Sequence, residues 1–71
     1  MKTSELLGKE VMDININKIG KVSDIEFDMY TGTISHIIVK SGLAKKYSVA
    51  IDKIDKIGDG IVLNIELDEI K

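Results

Sequence analysis

The sequence contains no cysteine, no tryptophan and no arginine, and it has only one phenylalanine and two tyrosines. Without cysteine, neither disulfide bonds nor thiolate metal sites can form, and an intracellular location needs no special explanation. Nucleic-acid-binding proteins usually carry a basic excess, arginine for bidentate contacts and aromatic side chains for stacking. This chain has a net charge of −2, and all its basic residues are lysines. We therefore do not expect a nucleic-acid partner.

Long apolar segments are also absent. No run approaches the roughly 18 apolar residues that indicate a transmembrane helix, and residues 1–8 lack the apolar region of a secretory signal. The pair Lys45-Lys46 is too short for a polybasic membrane anchor, which takes about four to eight basic residues. We expect a soluble, cytoplasmic protein with no membrane insertion.

The interior must be built from aliphatic side chains, because 44% of the 71 residues are hydrophobic and thirteen are isoleucine. Isoleucine favours strands because its branched Cβ restricts χ1. A chain of this length predicts one domain over residues 1–71, near the lower size limit for independent folding. A second copy is one common source of the burial that such small chains lack, so we expect a homodimer.

Residues 19–40 predict a β-hairpin around which the rest of the chain is arranged. Its first strand alternates between a face predicted to be buried, with Ser23, Ile25, Phe27 and Met29, and an acidic face with Asp24, Glu26 and Asp28. In the turn, Asp28 is predicted to accept hydrogen bonds from backbone amides and Gly32 to supply a positive φ. Val22 and Ile25 differ in parity, so we expect either a bulge near Ser23-Asp24 or a covered Val22.

The remaining segments add short strands and turns. Strands are predicted at residues 10–13, 47–51 and 61–67, and turns at residues 13–18, where Asn15 or Asn17 takes a positive φ, 41–46 and 58–60. A capped turn closed by Gly8 begins the chain, a helical turn capped by Asp52 follows at residues 51–57, and residues 68–71 are expected to fray. Five to six short strands without a long helix predict an all-β fold, a small, strongly bent antiparallel β-barrel with one short helical turn.

Four groups of motif residues occur in a fixed order along the chain. They are Leu7-Gly8-Lys9-Glu10-Val11; Ile19-Gly20-Lys21-Val22 with Asp24-Ile25 and Phe27-Asp28; Thr31-Gly32 with Ile34, Ile37 and Val39; and Tyr47 with Val49, followed by Ile54 and Ile57-Gly58-Asp59. Taken together, their spacing resembles the PRC-barrel domain over nearly the whole chain. This resemblance implies a small β-barrel that serves protein association and is not an enzyme.

The same resemblance implies a range of settings. PRC-barrel domains include the cytoplasmic domain of the photosynthetic reaction-centre H subunit, the C-terminal domain of a ribosome-maturation factor, and small archaeal proteins, some linked to the cell-division machinery. The first two work with a membrane helix or a partner domain that these residues do not include, so their functions are not carried over. The chain departs from the family at Asn15-Ile16-Asn17, where an Asp-Gly turn is usual, and at Ala50, where proline is common.

Acidic side chains and one histidine are the candidates for chemistry. Asp24, Glu26 and Asp28 form one acidic group, and Asp52, Asp55 and Asp59 form another, but neither has the spacing of a dedicated cation-binding loop. His36 is the only histidine, and its place between strand residues favours a structural or interface role. So small a barrel fills its interior with its own side chains. We expect no catalytic, metal-binding or cofactor-binding residue, no cofactor and no small-molecule substrate; a pocket holding His36 beside an acid would indicate a small enzyme instead.

Four aliphatic residues lie on strand faces that the alternation predicts to be outward, namely Val22, Ile34, Ile38 and Val62. Several such residues from neighbouring strands form a patch that marks a contact, unless strong curvature turns them inward. Exposed strand edges offer a second route to association. Structural turn roles are expected for Gly20, Asp28, Gly32, Gly58, Asp59 and Gly60. The sequence thus predicts a self-associating protein-interaction or adaptor module, in an archaeal cell-division or other assembly, whose protein partner is unknown; a small RNA-binding or ribosome-associated barrel is the alternative.

Overall fold

The computed structural model describes residues 2–70, which form six β-strands, two α-helices of one turn each and one 3₁₀ turn. The elements are α1 (Thr3–Leu6), β1 (Glu10–Met12), β2 (Lys18–Asp28), β3 (Thr33–Ser41), β4 (Lys45–Ala50), the 3₁₀ turn (Ile51–Lys53), β5 (Ile54–Ile57), β6 (Ile61–Leu63) and α2 (Leu67–Ile70). All six strands belong to one sheet in the order β4-β3-β2-β1-β6-β5. The predicted all-β fold is confirmed.

The sheet is strongly bent but not closed, because β4 and β5 are its two edges and each pairs with a single neighbour. A 3₁₀ turn of only three residues connects these edges, so the sheet must curve back on itself. Every strand pair is antiparallel except β1 with β6, which run parallel with Val11 opposite Ile61. The expectation of an antiparallel barrel is therefore corrected twice: the sheet is open, and one of its strand pairs is parallel.

The hydrophobic core of the described residues lies on the concave face of the sheet and receives side chains from α1 and from five of the six strands. Its buried members are Leu6, Val11, Ile19, Val22, Ile37, Val39, Val49, Ile61 and Leu63. Most are β-branched, which suits the pleated, half-buried surface of a strand. Burial of each such side chain contributes about 1.5–3 kcal/mol. Neither helix within residues 2–70 has the length and apolar character needed to cross a membrane.

The β2–β3 hairpin is the longest strand pairing and contains two irregularities. Val22 lies opposite Val39, and the next pair joins Asp24 to Ile38, which leaves Ser23 as an extra residue on β2. This bulge, which the parity of the aliphatic residues predicts, is confirmed. Because an extra residue reverses the alternation of faces, Val22 and Ile25 both face the core.

Several local expectations are corrected. The 3₁₀ turn ends at Lys53, because the next four residues pair with β6, and Asp52 makes no side-chain capping hydrogen bond. Residues 68–70 are not frayed as expected, because they belong to α2, whose Leu67 and Ile70 pack against the core. Lys71 lies outside the described residues.

The loop between β1 and β2 also differs from expectation. Neither Asn15 nor Asn17 has a positive φ; Ile16 has one instead, at 64°. A branched side chain in this region is sterically strained. By contrast, Gly8 closes α1 with a φ of 86°, as predicted.

Candidate functional site

Val22 lies in the core, although the alternation predicts it on the outer face. Its side chain is 3% exposed and lies opposite Val39 of β3. The bulge at Ser23 is the reason, since it turns Val22 to the concave face while Asp24 faces outward. This placement corrects the expectation and removes Val22 from the predicted outward-facing patch.

Ile34 also lies on the core side of the sheet. Glu26 is opposite His36, and the next pair joins Phe27 to Ile34, so Ser35 is an extra residue on β3. Ile34 and His36 therefore point to opposite faces. Ile34 packs against the core, which corrects its predicted outward position.

Ile38 and Val62 are half-buried and are not among the residues that pack against the core. Ile38 lies between Asp24 and Ser48 in the sheet, whereas Val62 lies beside Met12. Strands β2 and β1 separate the two residues. The four predicted interface residues therefore do not form one patch, and an interface through Ile38 or Val62 alone stays a prediction.

The six predicted turn residues take three different positions. Asp28 and Gly32 lie at the β2–β3 turn, where Gly32 has a φ of 70°. Residues 58–60 connect β5 to β6, with the Gly58 amide bonded to the Gly60 carbonyl at 2.9 Å and neither glycine at positive φ. Gly20 lies inside β2, where a Cβ would overlap the backbone carbonyl of Lys40. Its role is close backbone approach rather than a turn.

The end of the β2–β3 hairpin exposes large apolar side chains that the alternation predicts to be buried. Phe27 is 52% exposed and Met29 is 91% exposed, while the neighbouring Tyr30 is fully exposed. We call these three residues the hairpin tip. They include two of the three aromatic residues in the chain, so the hairpin tip concentrates the side chains most typical of protein contacts.

Hydrogen bonds fix the backbone that carries the hairpin tip. The Asp28 carboxylate accepts the Tyr30 amide at 2.8 Å and the Thr31 amide at 3.4 Å. The Gly32 amide donates to the Asp28 carbonyl at 2.8 Å, and the hydroxyls of Thr31 and Thr33 are 2.7 Å apart. Met29 and Tyr30 are therefore displayed on an ordered turn, so binding would cost little backbone entropy.

An open groove of about 550 Å³ lies at the opposite end of the same hairpin. It is lined by Gly8, Gly20, Lys21, Val22, Ser23, Lys40 and Gly42. We call it the basic groove. Three of its seven lining residues are glycines, so much of its surface is backbone, and its only charged groups are the two lysines. The Ser23 hydroxyl donates to the Ile38 carbonyl at 3.3 Å.

The lysines of the basic groove belong to a row of like charges. Lys21 of β2 is directly opposite Lys40 of β3, and Lys40 is directly opposite Lys46 of β4. The ion pair found among the described residues joins Lys18 to Glu10 at 3.8 Å and includes none of the three. Directly opposite like charges destabilise a sheet. We call these three residues the lysine row; Lys21 also lies directly opposite Glu10 of β1, so the unrelieved like-charge pair joins Lys40 to Lys46.

His36 lies beside an acidic residue but outside the basic groove. The Nδ1 atom of His36 is 3.0 Å from the Ser35 hydroxyl, and Glu26 is its cross-strand neighbour. Neither residue lines the basic groove. Over residues 2–70, no three His, Cys, Asp or Glu side chains are grouped so that they could hold a metal ion.

Asp13 is only 1% exposed, and the sequence pattern does not single it out. Its carboxylate accepts the amides of Asn15 and Asn17 at 2.9 and 2.8 Å, the Asn17 side-chain amide at 3.2 Å and the Leu67 amide at 3.0 Å. Burial is the largest single effect and raises the pKa of Asp13, but these hydrogen bonds together outweigh it, so the pKa lies below its ordinary value of 3.8. All four partners are N–H donors, which makes Asp13 a structural anion.

Comparison with known proteins gives a family for this arrangement. The protein-family model of the PRC-barrel domain matches residues 1–69, which is nearly the entire sequence. A search among curated proteins found no match.

Proposed function

Because the chain belongs to the PRC-barrel family, we propose that it is a non-enzymatic module for protein–protein interaction that associates with further copies of itself. The proposed contact site is the hairpin tip. On this proposal the protein works as an adaptor in a larger assembly, such as one for cell division. Its cytoplasmic location stays a prediction from the sequence.

The exposure of Met29 and Tyr30 on an ordered turn is the observation that carries the proposal. Burying such side chains against a partner removes a large apolar area from water, and tyrosine adds a hydroxyl for a directed hydrogen bond. Residues of this kind dominate the binding energy of many interfaces. The turn is already hydrogen-bonded, so little ordering is needed on association.

The chemistry of the basic groove supports a non-enzymatic role. A general acid–base mechanism needs a titratable group within hydrogen-bond reach of the reacting proton, with a pKa suited to the task. The groove is lined by two exposed lysines, a serine whose hydroxyl is bonded to a backbone carbonyl, three glycines and Val22. It contains neither the histidine nor a carboxylate, which are the groups that most often transfer protons.

RNA binding is the second candidate, and the row formed by Lys21, Lys40 and Lys46 is the observation in its favour. Single-stranded RNA is held by stacking of bases on aromatic side chains as well as by positive charge. Here Phe27 and Tyr30 lie at the other end of the hairpin, and the third aromatic residue, Tyr47, packs against the core. The separation of charge from aromatic side chains favours the protein-interaction proposal.

Sedimentation equilibrium of the purified protein tests this proposal. The wild-type mass is expected to rise above that of the monomer with increasing concentration, and the double variant Met29→Ser/Tyr30→Ser is expected to stay monomeric. Both side chains are almost fully exposed, so the substitutions leave the fold intact, which circular dichroism would verify. Ile14→Ser, an exposed aliphatic residue in another loop, serves as the control and should associate normally.

Two further variants test whether the contact lies at the hairpin tip or on the convex face of the sheet, opposite the core, where Ile38 and Val62 lie. Ile38→Asp and Val62→Asp should associate like the wild type if the tip is the contact. If Ile38→Asp or Val62→Asp is monomeric while the tip variant still associates, the contact lies on the convex face instead. A wild type that neither self-associates nor captures, in a tip-dependent manner, a protein from its native cells would contradict the proposed function.

A further inference from the structure

We propose that the hairpin tip of one copy docks into the basic groove of the next copy, so that self-association runs head to tail. This inference rests on the proposed function and deepens it by naming the surface that receives the tip. If the tip alone determined association, any apolar surface could receive it. This inference instead requires Lys21 and Lys40 of the basic groove.

The two ends of the β2–β3 hairpin carry opposite charges. The acids beside the hairpin tip are Glu26 and Asp28, and residues 25–39 include no lysine, whereas Asp24 follows Ser23 at the groove end of the hairpin. The basic groove includes Lys21 and Lys40 and no acid. Groups of opposite sign on the two surfaces steer them together and fix their relative orientation.

The shapes of the two surfaces are also complementary. The hairpin tip is a projection with Met29 and Tyr30 surrounded by solvent, so a partner must supply a concave surface. The basic groove is concave, and at two of its lining glycines, Gly8 and Gly42, the space that a Cβ would occupy is open, which leaves room for an incoming ring beside the backbone. A backbone-lined floor also supplies polar partners for the tyrosine hydroxyl.

The contact cannot form within one molecule. The tip and the basic groove lie at opposite ends of one hairpin, separated by roughly seven residues of extended chain, or about 20 Å. A contact between different surfaces of two identical molecules is heterologous, and it builds open strings unless the rotation closes a ring. Since three side chains bury only a small area, each contact is weak, and assembly is expected at about 0.1–1 mM protein.

The lysine row gives a physical reason for an acidic occupant. Lys40 stands between Lys21 and Lys46, where directly opposite like charges are expected to weaken the strand pairing, while Lys21 also has Glu10 of β1 opposite it. Glu26 and Asp28, which flank the hairpin tip, would relieve the repulsion when the tip is placed against this row, so the same charges that weaken the monomer favour the assembly. Added salt screens the attraction, and association should weaken as ionic strength rises.

Mixing two single-defect variants tests the inference. Met29→Ser/Tyr30→Ser has an intact groove, and Lys40→Glu has an intact tip. Each variant alone should be monomeric, with an apparent affinity at least about tenfold below that of the wild type. An equimolar mixture should form heterodimers and nothing larger, because one functional contact remains and it cannot propagate. Lys56→Glu, the same charge change on β5, is the control and should associate like the wild type.

The outcomes distinguish this inference from the proposed function. If Lys40→Glu and the milder Lys40→Gln associate normally while the tip variant does not, the head-to-tail contact is overturned and the tip remains the contact site. A mixture that stays monomeric, or a wild type that stays monomeric at every concentration, also overturns it. A shift of the wild type and the tip variant, but not of Lys40→Glu, with single-stranded RNA would assign the groove to nucleic acid and reject the second copy as its occupant.

Discussion

The carboxylate of Asp13 accepts a hydrogen bond from the backbone amide of Leu67, 54 positions further along the chain, at 3.0 Å. The same carboxylate holds the Asn15 and Asn17 amides of its own loop. One side chain therefore joins the β1–β2 loop to the last helix. Each partner donates an N–H group, so the interaction depends on an ionised carboxylate.

We predict that stability falls in acid partly through Asp13. Its pKa in the folded state lies below the ordinary value of 3.8, so the stabilisation is complete above that value and is lost as pH falls through the folded pKa. Asp13→Asn should be less stable at neutral pH, because its amide group directs N–H toward N–H donors. Urea unfolding from pH 7 to pH 2 should show a smaller loss for Asp13→Asn than for the wild type. Equal losses would contradict this role.

Relief of backbone strain should stabilise the protein at Ile16. Its φ of 64° is costly for a branched side chain, whereas asparagine adopts this region readily. We predict that Ile16→Asn raises the free energy of unfolding by about 1 kcal/mol. The control is Ile14→Asn, a similarly exposed isoleucine without positive φ, which should show no gain. The same increase in both variants would attribute the effect to lost exposed apolar surface instead.

Substitution by alanine should change stability differently at two glycines, Gly20 of β2 and Gly58 of the β5–β6 turn. In Gly20→Ala the new methyl group overlaps the Lys40 carbonyl, and the backbone must shift. A loss of about 1–3 kcal/mol in unfolding free energy is expected, comparable to overpacking a core. Gly58→Ala meets no atom within 4 Å and should be neutral or stabilising by up to about 1 kcal/mol. Thermal unfolding of the two variants beside the wild type provides the comparison.

Opposite effects on stability and association are predicted for Lys40→Glu. A glutamate between Lys21 and Lys46 replaces two repulsive cross-strand pairs with attractive ones. We expect the monomer to gain up to about 1 kcal/mol, limited by solvent screening, while association weakens. Thermal unfolding at low concentration and sedimentation at high concentration measure the two effects separately. A destabilised variant would show that the lysine row is not repulsive.

The strands and the bulge at Ser23 follow from local alternation. The parity of Val22 and Ile25, which predicts this bulge, is a property of neighbouring residues. Alternation does not show where the core ends, and for this reason it predicts that Phe27 and Met29 are buried although both are exposed. Apolar residues directly after Asp28, in a predicted turn, were the available signal for the hairpin tip.

Other features depend on contacts between distant segments. The parallel pairing of Val11 with Ile61 and the open edges at β4 and β5 are set by how the sheet bends in three dimensions. The basic groove requires the register that places Lys21 opposite Lys40, which a bulge shifts by one residue. The spacing of Asp13, Asn15 and Asn17 indicates a side-chain-held turn, but nothing near it in sequence points to Leu67.

The most direct test of the hairpin tip as the contact site is a concentration series of amide NMR spectra of the wild-type protein. The account predicts concentration-dependent shifts at Met29 and Tyr30, accompanied by shifts at Lys21 and Lys40 and absent from β5. Spectra that do not change with concentration, or shifts confined to the convex face around Ile38 and Val62, would contradict it.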